Sequence, residues 1–150
     1  MNIPNYDLEA FDDNTVYGFS VVNSDTSYYY RVVYTPTTIN PDIYNLGFGV
    51  LNADGKLDDT IEPGIGNISK VIKTVGITIY KFTEAYSDRW VYFSGNTAQK
   101  RTLYNRVITN NYQFLAKTFI VLGKDYTNKY VEFELGHPYG AFLVKRLTNI

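Results

Sequence analysis

Near residue 68 the apolar side chains of this chain change their period, and that change restricts it to folds that combine a sheet with amphipathic helices. Residues 15–22 and 28–35 alternate and are rich in β-branched and aromatic side chains, the pattern of half-buried strands, with turn chemistry in Asn23-Ser24-Asp25-Thr26-Ser27 between them. Farther on the period lengthens. Val71, Ile72, Val75, Ile79, Phe82 and Tyr86 follow Ile68 by 3, 4, 7, 11, 14 and 18 residues, one stripe along a helix that Asn67 can cap.

The other elements follow from these two signals. A loop from Pro36 to Pro41 leads to a strand over 43–51, closed by Asn52-Ala53-Asp54-Gly55, where Asp-Gly supplies a positive-φ turn. Residues 90–95 read as a short strand ending in glycine. Asn96 or Thr97 then caps a second helix whose apolar face is Leu103, Tyr104, Val107, Ile108 and Leu115. Three more strands are predicted over 118–123, 129–135 and 141–146, with Gly136-His137-Pro138-Tyr139-Gly140 as the last turn. The predicted order is βββ-α-β-α-βββ in a single domain over 1–150. The fold class is α+β, with a mixed, mostly antiparallel sheet of six to seven strands and two main helices.

Composition supplies the exclusions. At 150 residues and 45% hydrophobic side chains, the chain can bury a core of its own. It has no cysteine, which excludes disulfides, thiol catalysis and cysteine-ligated metals, and a reducing cytoplasmic setting is expected. No apolar run is long enough to span a bilayer, so no membrane partner is expected. A net charge of −1 does not favour nucleic acid as the partner. That small net value conceals an asymmetry. Through Glu62 there are two cations against ten acidic residues, and after it twelve against five. The basic part can face the acidic part or an anionic ligand.

Four features carry candidate chemistry. Gly64 and Gly66 precede Asn67 at the mouth of the first helix, where unpaired N–H groups and the absence of side chains suit a phosphate. The same two glycines also serve simply to turn the chain. At the second helix start, Asn96, Thr97, Lys100 and Arg101 place two cations against the positive end of the helix dipole, which calls for acid partners such as Asp58, Asp59 or Glu62, or for a bound anion. His137 is the sole histidine and reads as a turn residue, and no metal site is expected. Tyr28, Tyr29 and Tyr30 must alternate across a strand, so Tyr28 and Tyr30 are candidate interface residues for a protein partner or a homodimer.

Tyr44-Asn45-Leu46-Gly47-Phe48-Gly49, Leu57-Asp58-Asp59, Lys70-Val71-Ile72-Lys73-Thr74-Val75, Val91-Tyr92-Phe93-Ser94-Gly95-Asn96-Thr97 and Leu103-Tyr104 together resemble a family of small bacterial and phage proteins that carries only a domain-of-unknown-function label. Where that family shows Arg-Thr-Arg-Leu-Tyr, this chain has Lys100-Arg101-Thr102-Leu103-Tyr104. The element order is also distantly similar to the GNAT acyltransferase fold. That resemblance implies that Gly64, Gly66 and Asn67 cradle the pyrophosphate of coenzyme A and that Tyr104 protonates the leaving thiolate. Ile61 stands where the GNAT loop carries Gln or Arg, and the strand over 43–51 has no glutamate base. The expectation is therefore a GNAT-like binding or interaction module without classical catalysis, taking a phosphate-bearing ligand. An acyl-coenzyme A-dependent N-acetyltransferase and a virion or toxin–antitoxin-type interaction subunit are the alternatives.

Overall fold

The computed structural model describes residues 4–58, 68–95 and 97–147. In them two helices accompany nine strands of a mostly antiparallel, open sheet, an α+β fold in the predicted order with two short strands added. Gly64, Gly66 and Asn67, the predicted phosphate loop and first helix cap, lie outside the described residues, as do Asn96, Asp59 and Glu62. The chain divides into two compact units, 1–35 with 46–85, and 36–45 with 86–150.

The first unit holds β1 (Glu9–Phe11), β2 (Val16–Asn23), β3 (Thr26–Pro36) up to residue 35, the later part of β4 (Ile43–Leu51), β5 (Leu57–Asp58) and α1 (Ile68–Ala85). The strands run β1-β2-β3-β4, with β5 paired to β4. β1 and β5 are the additions, too short to show a period. Strand alternation aims Tyr17, Phe19 and Val21 into the core, opposite Val32, Tyr30 and Tyr28 in register. Tyr34 connects this layer to the helix: its ring stacks on Phe82 at 4.2 Å and its hydroxyl lies 2.8 Å from that of Thr78. The buried face of α1 is Val71, Thr74, Val75, Thr78, Phe82 and Thr83, so threonines replace the predicted Ile72 and Ile79, which are half-buried. Each threonine hydroxyl returns its proton to a carbonyl of the preceding turn, Thr74 to Lys70, Thr78 to Val75 and Thr83 to Ile79, so none enters the core unsatisfied.

The second unit begins with the first residues of β4, which pair parallel with β6 (Trp90–Ser94) through Ile43↔Trp90 and Asn45↔Tyr92. From there the order is β4-β6-β9-β7-β8, with β7 Phe119–Lys124, β8 Tyr130–Glu132 and β9 Ala141–Arg146. β8 is shorter than predicted. After Glu132 only the Phe133 amide still reaches β7, at the Val121 carbonyl, and the Phe133 ring leaves the strand for the core. α2 (Ala98–Leu115) packs on one face of these strands: Tyr104 meets Phe93 edge-on at 6.0 Å, and Tyr112 lies 4.8 Å from Phe133.

Two hairpin loops, one in each unit, share a plan. In 52–56 the Asn52 carbonyl accepts from the Gly55 amide, its amide donates to the Lys56 carbonyl, and its side-chain oxygen accepts from the amides of Asp54 and Lys56. In 125–129, Asp125 repeats every bond, with Asn128 in the place of Gly55 and the amides of Thr127 and Lys129 on its carboxylate. The fourth residue of each loop is left-handed, with φ +78° at Gly55 and +64° at Asn128.

Candidate functional site

The best-defined arrangement of predicted site residues is the passage from β6 into α2. β6 ends at Ser94, and Gly95 after it is buried because the first turn of the helix lies directly on it. A Cβ there would stand 2.6 Å from the Arg101 nitrogen and 2.8 Å from the Lys100 carbonyl carbon. Glycine therefore serves close strand–helix packing at this point, and the space beside it is filled by the helix itself.

Thr97 is the N-cap, with φ −128° and ψ 159°, and its hydroxyl accepts from the Lys100 amide at 3.1 Å. The cap explains where the helix starts: threonine satisfies one of the four donors that a helix start leaves over. The first turn contains no acidic residue. Lys100 is half-buried and Arg101 exposed, and the Arg101 guanidinium folds back to donate to the Gly95 carbonyl at 3.3 Å. The Arg101 guanidinium, the helix dipole and the remaining N-terminal amides thus meet at one end of α2, with Lys100 in the same turn, a local field that favours an anion.

One turn on, Tyr104 is half-buried and edge-on to Phe93. Its neighbour Asn105 has a role that sequence reasoning missed. The Asn105 side-chain amide donates to the Tyr139 carbonyl at 2.7 Å and its oxygen accepts from the Tyr139 amide at 2.8 Å, so one side chain satisfies both backbone polar groups of Tyr139. Tyr139 in turn lies over Gly123 of β7, where a Cβ would meet the ring at 2.4 Å, and its hydroxyl accepts from the Glu134 amide. This ties the Gly136–Gly140 turn to the helix. A polar residue three positions before the apolar Ile108 carried no pattern that could announce it.

The predicted interface pair separates. Tyr30 is 3% exposed and stacks on Phe19 at 5.1 Å, so it serves the core and is closed to a partner; Tyr28 is half-buried. Alternation leaves Tyr29 on the other face, over Gly18 and 5.8 Å from the Arg31 guanidinium. His137 is exposed in its turn and 3.2 Å from the Glu134 carboxylate. Among the described residues no group of three or more histidine or acidic side chains is placed to hold a metal, and no helix is long and apolar enough to cross a membrane.

A family model described as a family of unknown function (DUF6934) matches residues 2–147. No curated protein and no solved structure matches the chain.

Proposed function

The chain belongs to the DUF6934 family, and for it we propose a binding module, without classical catalysis, that takes a phosphate-bearing anion at the first turn of α2. The observation that carries this reading is the pairing of Lys100 and Arg101 with a helix start capped by Thr97 and lacking any acid in its first turn. The unit around it has nine cations against five acidic residues, so the wider field acts in the same direction. Lysine supplies a point charge and arginine a planar fork of donors, the combination that grips a phosphate. Because the element order is compatible with a GNAT-like frame, coenzyme A is the organic ligand to try beside inorganic pyrophosphate.

Calorimetry with pyrophosphate and with coenzyme A tests the proposal. Binding should weaken at least about tenfold when Lys100→Gln is combined with Arg101→Gln, the loss expected for two charge-assisted hydrogen bonds. It should also become less sensitive to salt. No heat at millimolar pyrophosphate, or an affinity untouched by the double substitution, would sink it. Should the double variant lose thermal stability with no change in binding, the two cations serve internal pairing.

A further inference from the structure

The sheet of the second unit has two faces, and α2 covers one of them. Val91 and Phe93 point to the α2 side, so alternation sends Trp90 and Tyr92 to the other, and the register adds Leu143, Lys145, Lys124 and Tyr130 to that same face. Tyr130 is 38% exposed, and Trp90, Tyr92, Lys124 and Lys145 are half-buried. Two of the three rings have an ammonium group beside them: Lys145 Nζ is 5.7 Å from the Trp90 ring and Lys124 Nζ 5.8 Å from that of Tyr130. Burial, with a smaller contribution from the nearby Tyr92 phenol, raises the Tyr130 pKa, so the Tyr130 ring stays neutral at physiological pH.

We propose that this face is a platform for single-stranded nucleic acid, with bases stacking on Trp90, Tyr92 and Tyr130 and phosphates meeting Lys124 and Lys145. Charge complementarity selects that occupant. Cations stand beside the aromatic rings, Glu132 is the acid that the register places on this face, and the unit as a whole is positive. A second copy of the same face would bring lysines against lysines, and an apolar protein surface would leave them without partners. Aromatic rings on a strand surface, alternating with cations, meet the two needs of an unpaired strand: a flat partner for each base and a counter-charge for each phosphate. The overall charge of −1 conceals this because the acidic residues concentrate in the other unit. The proposal is independent of the α2 reading, since it uses other residues on the other face.

Trp90 is the sole tryptophan and reports on the face directly. Titration of the full chain with a ten-nucleotide oligothymidylate at low salt should quench its emission. Tyr92→Ala and Tyr130→Ala should each weaken binding by about 5- to 100-fold, the range for one stacked base. Lys124→Gln with Lys145→Gln should lower the slope of log affinity against log salt by about 1.4, the value for two phosphate contacts on a single strand. Either lysine-only or tyrosine-only effects would overturn the paired recognition. So would equal affinity for the corresponding duplex or for heparin, a polyanion without bases. Displacement of the oligonucleotide by pyrophosphate at concentrations that saturate α2 would move the binding to that helix and end the proposal. Circular dichroism of each variant separates lost binding from lost folding, and Lys124→Glu, a reversal at a surface position, should abolish the quench with the spectrum intact.

Discussion

A methyl group added at Gly95 would meet backbone atoms of α2, at 2.6 Å and 2.8 Å, and backbone cannot yield without moving the helix. Gly95→Ala should therefore cost about 1–3 kcal/mol in urea unfolding, the range for overpacking. Gly18→Ala is a useful contrast. Its Cβ would overlap the Tyr29 hydroxyl, the far end of a side chain that can swing aside, so the loss should be smaller than at Gly95. At Gly55 a Cβ would meet nothing within 4 Å, yet the backbone sits at φ +78°, and alanine there should cost about 1–2 kcal/mol through conformation alone. A series in which Gly55→Ala is neutral would break that distinction between space and torsion. Tyr34 gives a second test at this scale. Full burial holds its phenol well above the ordinary tyrosine range, while the Thr78 hydrogen bond acts the other way. The unfolded chain releases that proton near pH 10, so above that pH the folded state binds more protons and stability falls as pH rises. Tyr34→Phe should flatten that fall by up to about 1.4 kcal/mol per pH unit. An alkaline slope that survives the substitution unchanged would assign it to other groups.

Between elements, α2 is tied to the last turn of the second unit by the Asn105 clamp on Tyr139. Asn105→Ala removes both bonds and leaves the Tyr139 N–H and C=O without this partner, for an expected loss of about 2–3 kcal/mol in urea unfolding. Asn105→Asp keeps the acceptor for the Tyr139 amide but sets a carboxylate against its carbonyl, and should recover little. A stability for Asn105→Asp equal to that of the parent chain would show that the donor bond is dispensable. How far these elements could be read in advance follows from their physics. Alternation over 15–22 and 28–35 located β2 and β3 because each strand has one side to bury, and the helical stripe from Ile68 located α1. The threonine face of α1 escaped because threonine looks polar until its hydroxyl is returned to the helix backbone. Thr97 and the cations of α2 were legible because capping is local chemistry, encoded within four residues. Asn105, Tyr139 and the aromatic face of Trp90, Tyr92 and Tyr130 were not, since each depends on which strands become neighbours, and β9 enters between β6 and β7 although it is last in the chain.

Across the whole molecule, charge is sorted by unit rather than balanced within each. One unit has five cations against ten acidic residues, the other nine against five. A chain with a sequence pI near 5.8 would ordinarily pass through a sulfonate cation exchanger at neutral pH, but this sorting predicts retention at low salt. Passage without delay would mean that the acidic residues screen the cations at a distance. The twin hairpin loops extend the same division to acid. Hydrogen bonds from the Thr127 hydroxyl and from the amides of Lys129 and Thr127 lower the Asp125 pKa below the ordinary carboxylate value. What the charge contributes is present above that value and fades as pH falls through the lowered one. Asn52 does the same job with an amide that does not titrate in this range. The chain thus contains a matched pair, an acid-labile loop and an acid-indifferent one. In hydrogen exchange below about pH 4 the amides of Thr127 and Lys129 should lose protection while those of Asp54 and Lys56 keep theirs, each loop calibrating the other within one molecule.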